Sequence, residues 1–433
     1  MKVQNARWLV ALAASSAMVL SACGGVTTDS SRSSSGSELT KNCPDNASTG
    51  LTDDEVKIGA SVPLSGPSAL GITVGFKAYL EYINGQGGVK MKDGKTRKIS
   101  FTELDDQLEA SRTRANVDEL INREKVFALI GLYGWPGTLA ARPMIMENCI
   151  PNLYITTGNP EAGNPDFPWV GAPTVFSGPA EARAAAEFIT AKQPKAKIGV
   201  LTQNDDTGEA FMAAFKAGLK DSSAKLVETQ TFEVTDTAVT GQITTLAGSG
   251  ADVFVMLSGA GTFQMQALES IVNRGWEPKL KYVANFLPGY LKDMSDAADD
   301  NLHWSSYRKL PSEPRWADDP DVKLFLKWWG KQKDAKAYNS DNGVLGWLVG
   351  EYLVNNLTDM KESTREALLN EALHFTAKKD SLLLPGIDYS VDAPEFPYGM
   401  VNAVIQKPDA DGLPQDVNVI KQQGKFPYEA PGK

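Results

Sequence analysis

Val56-Lys57-Ile58-Gly59-Ala60-Ser61-Val62-Pro63 is a short apolar run closed by a proline, and Leu64-Ser65-Gly66-Pro67-Ser68 follows it with small, hydroxyl-bearing and turn-forming residues. The next stretch, Val74–Asn84, has the spacing of an amphipathic helix. Strand, turn and helix in that order make one βα unit, and the unit recurs along the chain. Further strands are expected at Ile99–Leu104, Phe127–Leu132, Asn152–Ile155, Lys197–Thr202, Leu226–Phe232, Asp252–Leu257 and Tyr282–Ala284. Helical stretches at Ser111–Arg123, Ala180–Ala191, Glu209–Lys220 and Phe263–Arg274 separate them. Apolar strands alternating with such helices predict parallel sheets covered on both faces.

The alternation breaks three times, near Trp169–Thr174, near His303–Pro311 and near Leu384–Tyr389. A helical region (Val322–Lys333, Val344–Asn356, Arg365–Thr376) lies between the last two breaks, and late strands follow at Met400–Ile405 and Val417–Lys421. This pattern predicts an α/β fold of two Rossmann-like lobes whose chain crosses between them three times. Residues 54–174 with 308–387 would form the first lobe, and 175–307 with 388–433 the second. Several crossings make a hinge, which puts a ligand between lobes that close on it.

Composition narrows the function. The chain has 433 residues, 42% hydrophobic and 22% charged, which is ordinary for a globular protein. Its 43 Lys+Arg against 53 Asp+Glu give −10, the wrong sign for a nucleic-acid binder. Two histidines, His303 and His374, and three cysteines leave almost nothing for a metal site, so no metal or cofactor is expected.

The N-terminus reads as an export signal. Lys2 and Arg7 precede an apolar stretch from Trp8 to Leu20, too short to span a bilayer comfortably but suited to a signal peptide of residues 1–22. It closes on Leu20-Ser21-Ala22-Cys23, which looks like a bacterial lipobox, where by resemblance Cys23 becomes acylated; the alternative is an ordinary signal with an incidental cysteine. The Ser-rich run that follows makes residues 23–53 a tether. The body is therefore placed on the extracytoplasmic face of the cell membrane, lipid-anchored. In that oxidising compartment Cys43 and Cys149 either form a bridge or remain two inert thiols.

Catalytic signatures fail. No G-x-S-x-G elbow is present. Gly94-Lys95-Thr96 lacks the P-loop's first glycine, since Val89 stands there, and Lys92-Asp93-Gly94-Lys95 reads better as a hairpin turn. Gly85 and Gly87 lack a third glycine at Lys90. Adjacent aspartates at 105–106, 205–206, 299–300 and 318–319 read as solvated loop or helix-cap residues, with Asp205-Asp206 having the best functional claim. What remains is a set of loops at the C-terminal ends of the strands, where open α/β sheets bind ligands. They carry Ser65 and Ser68, Tyr133 and Trp135, Thr156 and Thr157, Asp205 and Thr207, Gly259, and Phe286. Hydroxyls and helix N-termini can hold an anion there, and Tyr133, Trp135 and Phe286 would add aromatic walls.

With these loops in view the chain resembles the type I periplasmic binding proteins, and more narrowly the branched-chain amino acid and amide group of ABC-transporter substrate-binding lipoproteins. The resemblance is carried by Val56-Lys57-Ile58-Gly59, Pro63-Leu64-Ser65-Gly66-Pro67, Phe76-Lys77-Ala78-Tyr79, Asp105-Asp106-Gln107, Ala128-Leu129-Ile130-Gly131 and Thr207-Gly208-Glu209. It implies a non-enzymatic, monomeric receptor that delivers a small molecule to ABC permease subunits. It also implies that the ligand's carboxylate is held at Gly134–Gly137 and Thr156–Gly158. Phe286 stands where amino-acid binders present an acidic residue to the ammonium, and Thr207 and Gly259 stand where aromatic rings are common. An unpaired ammonium in a closed cleft is costly. Either Asp205 or Asp206 meets it, or the ligand has no α-amine. The expected ligand is a small hydrophobic or aromatic carboxylate, with a branched-chain amino acid as the alternative. Two other readings stay open: a sensor of the same fold signalling to a membrane partner, and a two-lobed hydrolase that lacks a nucleophile–base pair.

Overall fold

The computed structural model describes residues 39–65, 71–131, 133–258, 261–286, 299–377, 382–394, 397–400 and 402–421. The signal and lipobox reading, with Cys23, falls outside them, as do Ser68 and Gly259. Two separate sheets are present. The first runs, in spatial order, β2 (Val89–Lys90), β3 (Thr96–Asp105), β1 (Glu55–Val62), β4 (Ala128–Ile130), β5 (Asn152–Leu153) and β6 (Val170–Gly171). All its pairings are parallel except β2 with β3, the hairpin around Lys92–Lys95. In that turn Asp93 accepts two bonds from Arg97, at 2.7 and 3.0 Å.

The second sheet runs β13 (Pro414–Lys421), β12 (Asn402–Pro408), β11 (Leu302–Ser306), β10 (Leu280–Val283), β9 (Val253–Leu257), β7 (Lys197–Gln203) and β8 (Lys225–Phe232). Position in the sheet explains the sequence patterns. β9 is central and wholly buried, so Val253-Phe254-Val255-Met256-Leu257 reads as a continuous apolar run. β8 is an edge strand and alternates.

Helices α1 (Ile72–Gly85), α2 (Ala110–Asn122) and α3 (Trp135–Glu147) follow strands of the first sheet. Helices α4 (Gly178–Lys192), α5 (Asp206–Leu219), α6 (Thr240–Gly248) and α7 (Gly261–Asn273) alternate with the second. Then α8 (Pro320–Trp329), α9 (Ser340–Asp359) and α10 (Arg365–Leu373) return to the first lobe, where α8 and α9 pack on α1. The chain therefore passes between lobes three times: after β6, after β11 and before β12.

Glycines set how closely α1 and α9 approach. A Cβ on Gly75 would stand 1.8 Å from the carbonyl oxygen of Gly343, and one on Gly346 would stand 1.9 Å from that of Ile72. The helices are in backbone contact there, and no side chain fits between them.

The structure departs from expectation at two elements. The second break begins only after Ser306: His303–Ser306 still belongs to β11, which is buried between β10 and β12, with the Ser305 hydroxyl donating to Glu181 and Trp304 Nε1 donating to Gln406 at 3.0 Å. Trp135 is not in a loop but is the first residue of α3, where Pro136 is tolerated because that N–H needs no intrahelical partner.

Cys43 and Cys149 are joined in a disulfide, with Cα atoms 5.6 Å apart. It fastens the segment ahead of β1 to the end of α3. Arg365, only 2% exposed, reinforces the same corner: its guanidinium donates to the carbonyls of Val126 (2.7 Å), Phe127 (3.0 Å) and Asn148 (3.4 Å), and its N–H to that of Ala47 (2.8 Å).

Candidate functional site between the strand ends

In both sheets the C-terminal strand ends and the loops after them carry the residues singled out from sequence. After β1, Ser65 donates to Asp105 Oδ2 at 2.5 Å and the Leu64 N–H to Asp105 Oδ1 at 2.9 Å. Burial alone would push the Asp105 carboxyl up. The bonds from Ser65, Leu64 and Gln107 outweigh it and hold the carboxyl down at about 2. Its neighbour Asp106 corrects the expectation of a solvated pair. It is fully buried on the other face and accepts from Ser61 (2.9 Å), Thr113 (3.2 Å) and the Leu108 N–H (2.9 Å). Burial pushes its carboxyl up despite these bonds.

After β4 and β5, Tyr133 and Thr156 pair as a parallel bridge, which brings these two expected site residues side by side. Trp135 is 5% exposed, with its indole N–H buried and without a hydrogen-bond partner and the Arg142 guanidinium 5.9 Å from its ring. It forms part of the floor beneath the loop rather than an open wall. Thr157 is buried and accepts from the Asn159 N–H at 3.2 Å.

From the second lobe, Asp205 is the N-cap of α5. Its Oδ1 accepts from the Gly208 N–H at 2.9 Å and its Oδ2 from Gln203 Nε2 at 3.1 Å. Asp206 is exposed in the first turn. Thr207 accepts from the Asn159 side chain at 3.0 Å, a bond between lobes. Phe286 is not an aromatic wall of the cleft. It is 3% exposed and packs inward on Trp304, ring centroids 5.7 Å apart, as part of the second lobe's core.

Sequence reasoning passed over several residues that the fold brings here. Glu181, in the first turn of α4, is wholly buried and accepts from the Asn285 N–H at 2.9 Å and from Ser305. Burial pushes its carboxyl up to about 7, against these two bonds. A glutamate amid the alanines of α4 was the available signal. Asn159 follows the Thr156–Gly158 stretch, and it links Thr207 and, through its carbonyl, the Tyr398 hydroxyl at 2.5 Å. A cavity of about 270 Å³ lies between β1 and α1, and Tyr133 and Thr156 line it. Lys77, Glu103 and Tyr338 line it as well. Glu103, between the apolar residues Phe101 and Leu104 of β3, was its one visible mark. Among the described residues no group of three or more His, Cys, Asp or Glu is placed to hold a metal ion.

Comparison with known proteins agrees with this geometry. A family signature described as periplasmic binding protein matches residues 55–389. A Leu/Ile/Val-binding protein homolog 6 from Brucella abortus is 28% identical over 247 residues, covering 56% of this chain and 60% of the relative, so the match spans less than two thirds of that protein's length. The solved structure of a branched chain amino acid ABC transporter from Thermus thermophilus with bound valine superposes with a TM-score of 0.72 at 17% identity, covering 86% of this chain and 98% of its own. An ABC-transporter solute binding protein from R. palustris, in complex with 4-hydroxybenzoate, gives 0.70 at 19% identity over 86% and 99%. At such identities the two structures establish the fold. The signature runs from β1 to the last crossing, and this chain belongs to the periplasmic binding protein family, with the two-lobed fold of its solved relatives.

Proposed function

We propose that the protein is the extracytoplasmic solute receptor of an ABC importer. It captures a small hydrophobic or aromatic carboxylate between its lobes and presents the closed form to the permease. It turns nothing over. Cys23 would carry the lipid anchor, residues 24–53 the tether, and the two lobes would divide at residues 54–174 with 308–387 and 175–307 with 388–433. The receptor would act as a monomer, its closed state favoured by ligand contacts to both lobes.

The observation that carries the ligand class is the occupancy of Asp205. Both of its oxygens already serve the α5 cap and Gln203, and Phe286 is turned into the core, so neither of these two positions offers a committed carboxylate to an α-ammonium. The first lobe, by contrast, offers hydroxyls at Tyr133 and Thr156 beside a mainly apolar cavity. That relatives with this fold include a complex with valine and one with 4-hydroxybenzoate leaves the choice to these side chains.

The test is a thermal-shift screen on protein unfolded and refolded to strip bound solute. Leucine, isoleucine and valine are set beside benzoate, 4-hydroxybenzoate and cyclohexanecarboxylate. Ligand at a hundred times its Kd stabilises by about 2.7 kcal/mol, a visible shift. A response only to the acids lacking an amine supports the proposal. A response to the amino acids overturns the ligand class and returns attention to Asp206.

A further inference from the structure

The face of the first sheet covered by α1 and α9 is not filled. Ile58 pairs with Phe101 and Ala60 with Glu103 in register, so Ala60, Val62, Phe101 and Glu103 project to the same side. The cavity under them runs across the sheet from β3, past β1, to Ile130 on β4 and Thr156 beyond β5. Phe76 from α1 and Val349 from α9 close it. Its volume, about 270 Å³, equals roughly nine water-sized volumes of ~30 Å³. That is room for a chain or ring of roughly eight to ten heavy atoms.

The two ends differ in charge. At the β3 end Lys77 Nζ lies 2.5 Å from Glu103 and 3.7 Å from Asp334, so two carboxylates face one ammonium and a third anion is unwelcome. The far end carries the neutral hydroxyl groups of Tyr133 and Thr156, on the loops that also reach the second lobe through Asn159. Between the ends the walls are aliphatic and aromatic.

We propose that this cavity takes the apolar tail of the solute: the carboxylate stays at Tyr133 and Thr156, and the tail enters the first lobe toward Phe101. This rests on the carboxylate reading above and adds to it a preference for ligand length, met by medium-chain aliphatic acids and elongated aryl acids.

The test is calorimetric titration of the purified, solute-stripped protein with a series of straight-chain acids from butanoate to dodecanoate. Affinity is expected to rise about fourfold per methylene, the equivalent of ~0.8 kcal/mol for each buried CH₂. It should stop rising near ten carbons, where the cavity is full. Ala60→Phe, which fills the middle of the cavity, should weaken octanoate at least tenfold more than butanoate. Phe101→Ala, which lengthens the cavity, should move the optimum to longer acids and serves if the Ala60 variant does not fold. Acids that bind with no dependence on length, in the wild type and in the folded variants, would overturn the tail pocket and leave the carboxylate reading standing. Failure of every acid, with leucine or valine binding instead, would overturn that reading itself.

Discussion

The side-chain amide of Asn159 donates to the hydroxyl of Thr207 across 3.0 Å, joining a loop of the first lobe to the first turn of α5 in the second. Asn159 is itself held, its side-chain oxygen accepting from the Glu161 N–H at 2.9 Å and its carbonyl from Tyr398. A bond between lobes can form only when they approach, so it belongs to the energetics of closure. Thr207→Val keeps the shape of the side chain and removes the acceptor. A neutral hydrogen bond is worth about 0.5–1.5 kcal/mol, so solute affinity should fall about two- to tenfold, chiefly through faster release. Stopped-flow dissociation of the tightest ligand from the screen measures it. An unchanged off-rate would mean that the bond does not discriminate the bound state.

The βα alternation was legible because interior strands such as β9 are apolar runs and the turns after them are rich in Gly, Ser and Thr. The three crossings were legible where that rhythm stopped. Other features could not be read. β6 and β2 are two residues long, too short to carry a periodicity. β11 is polar in composition and lies inside the sheet between β10 and β12, where Glu181, 124 residues earlier in sequence, accepts from Ser305. Trp135 opens α3 instead of lying in a loop, and its ring and that of Phe286 turn inward; orientation depends on neighbours such as Trp304 that no local pattern identifies. The cavity lined by Lys77 and Glu103 arises from a pairing of β1 with β3 forty-odd residues apart, and long-range register is what a single sequence specifies least.

Glu181 should make stability depend on pH. Its folded carboxyl titrates near 7, raised by burial from an ordinary value of 4.5. The folded state therefore holds a proton that the unfolded chain has released between those values. Its contribution is fully present below about pH 4.5 and is lost as pH rises through 7. Glu313, raised to about 7 by burial against the pull of Arg315, acts in the same direction, while burial lowers His303 and acts oppositely. The difference between variant and wild type isolates Glu181. Glu181→Gln, which keeps a hydrogen-bonding group in the site, should flatten the denaturant-midpoint profile between pH 5 and 8, with the stability difference changing by up to a few kcal/mol at about 1.4 kcal/mol per pH unit. A profile parallel to wild type would remove Glu181 from the account.

The contact between α1 and α9 predicts opposite outcomes for chemically identical changes. Gly75→Ala or Gly346→Ala places a methyl within 2 Å of a backbone carbonyl oxygen on the facing helix. The helices must separate, and the lost packing should cost several kcal/mol or prevent folding. Gly241 and Gly248 lie in α6, and a Cβ on either meets nothing within 4 Å. Gly241→Ala should therefore stabilise by up to ~1 kcal/mol through helix propensity alone. Chemical denaturation of the two sets decides it: equal effects would mean that the helices can part without cost.

The Cys43–Cys149 bridge should matter for stability and not for binding. It closes a loop of 106 residues, for which chain entropy alone gives about 4.7 kcal/mol. Asn46 donating to the Asn148 carbonyl at 3.1 Å and Arg365 donating to the Ala47 carbonyl hold the same segment without it, so reduction should loosen residues 39–50 rather than unfold the lobe. The bridge lies just ahead of Asn152, where β5 begins, whereas Tyr133 and Thr156 lie at the opposite ends of β4 and β5. The double substitution of both cysteines by serine should lower Tm by several degrees and open the 39–50 segment to protease, while Kd for the screened solute stays within twofold of wild type. A large loss of affinity would mean that the two ends of the first sheet are mechanically coupled, and that the segment ahead of β1 helps to set the geometry of the loops that hold the ligand.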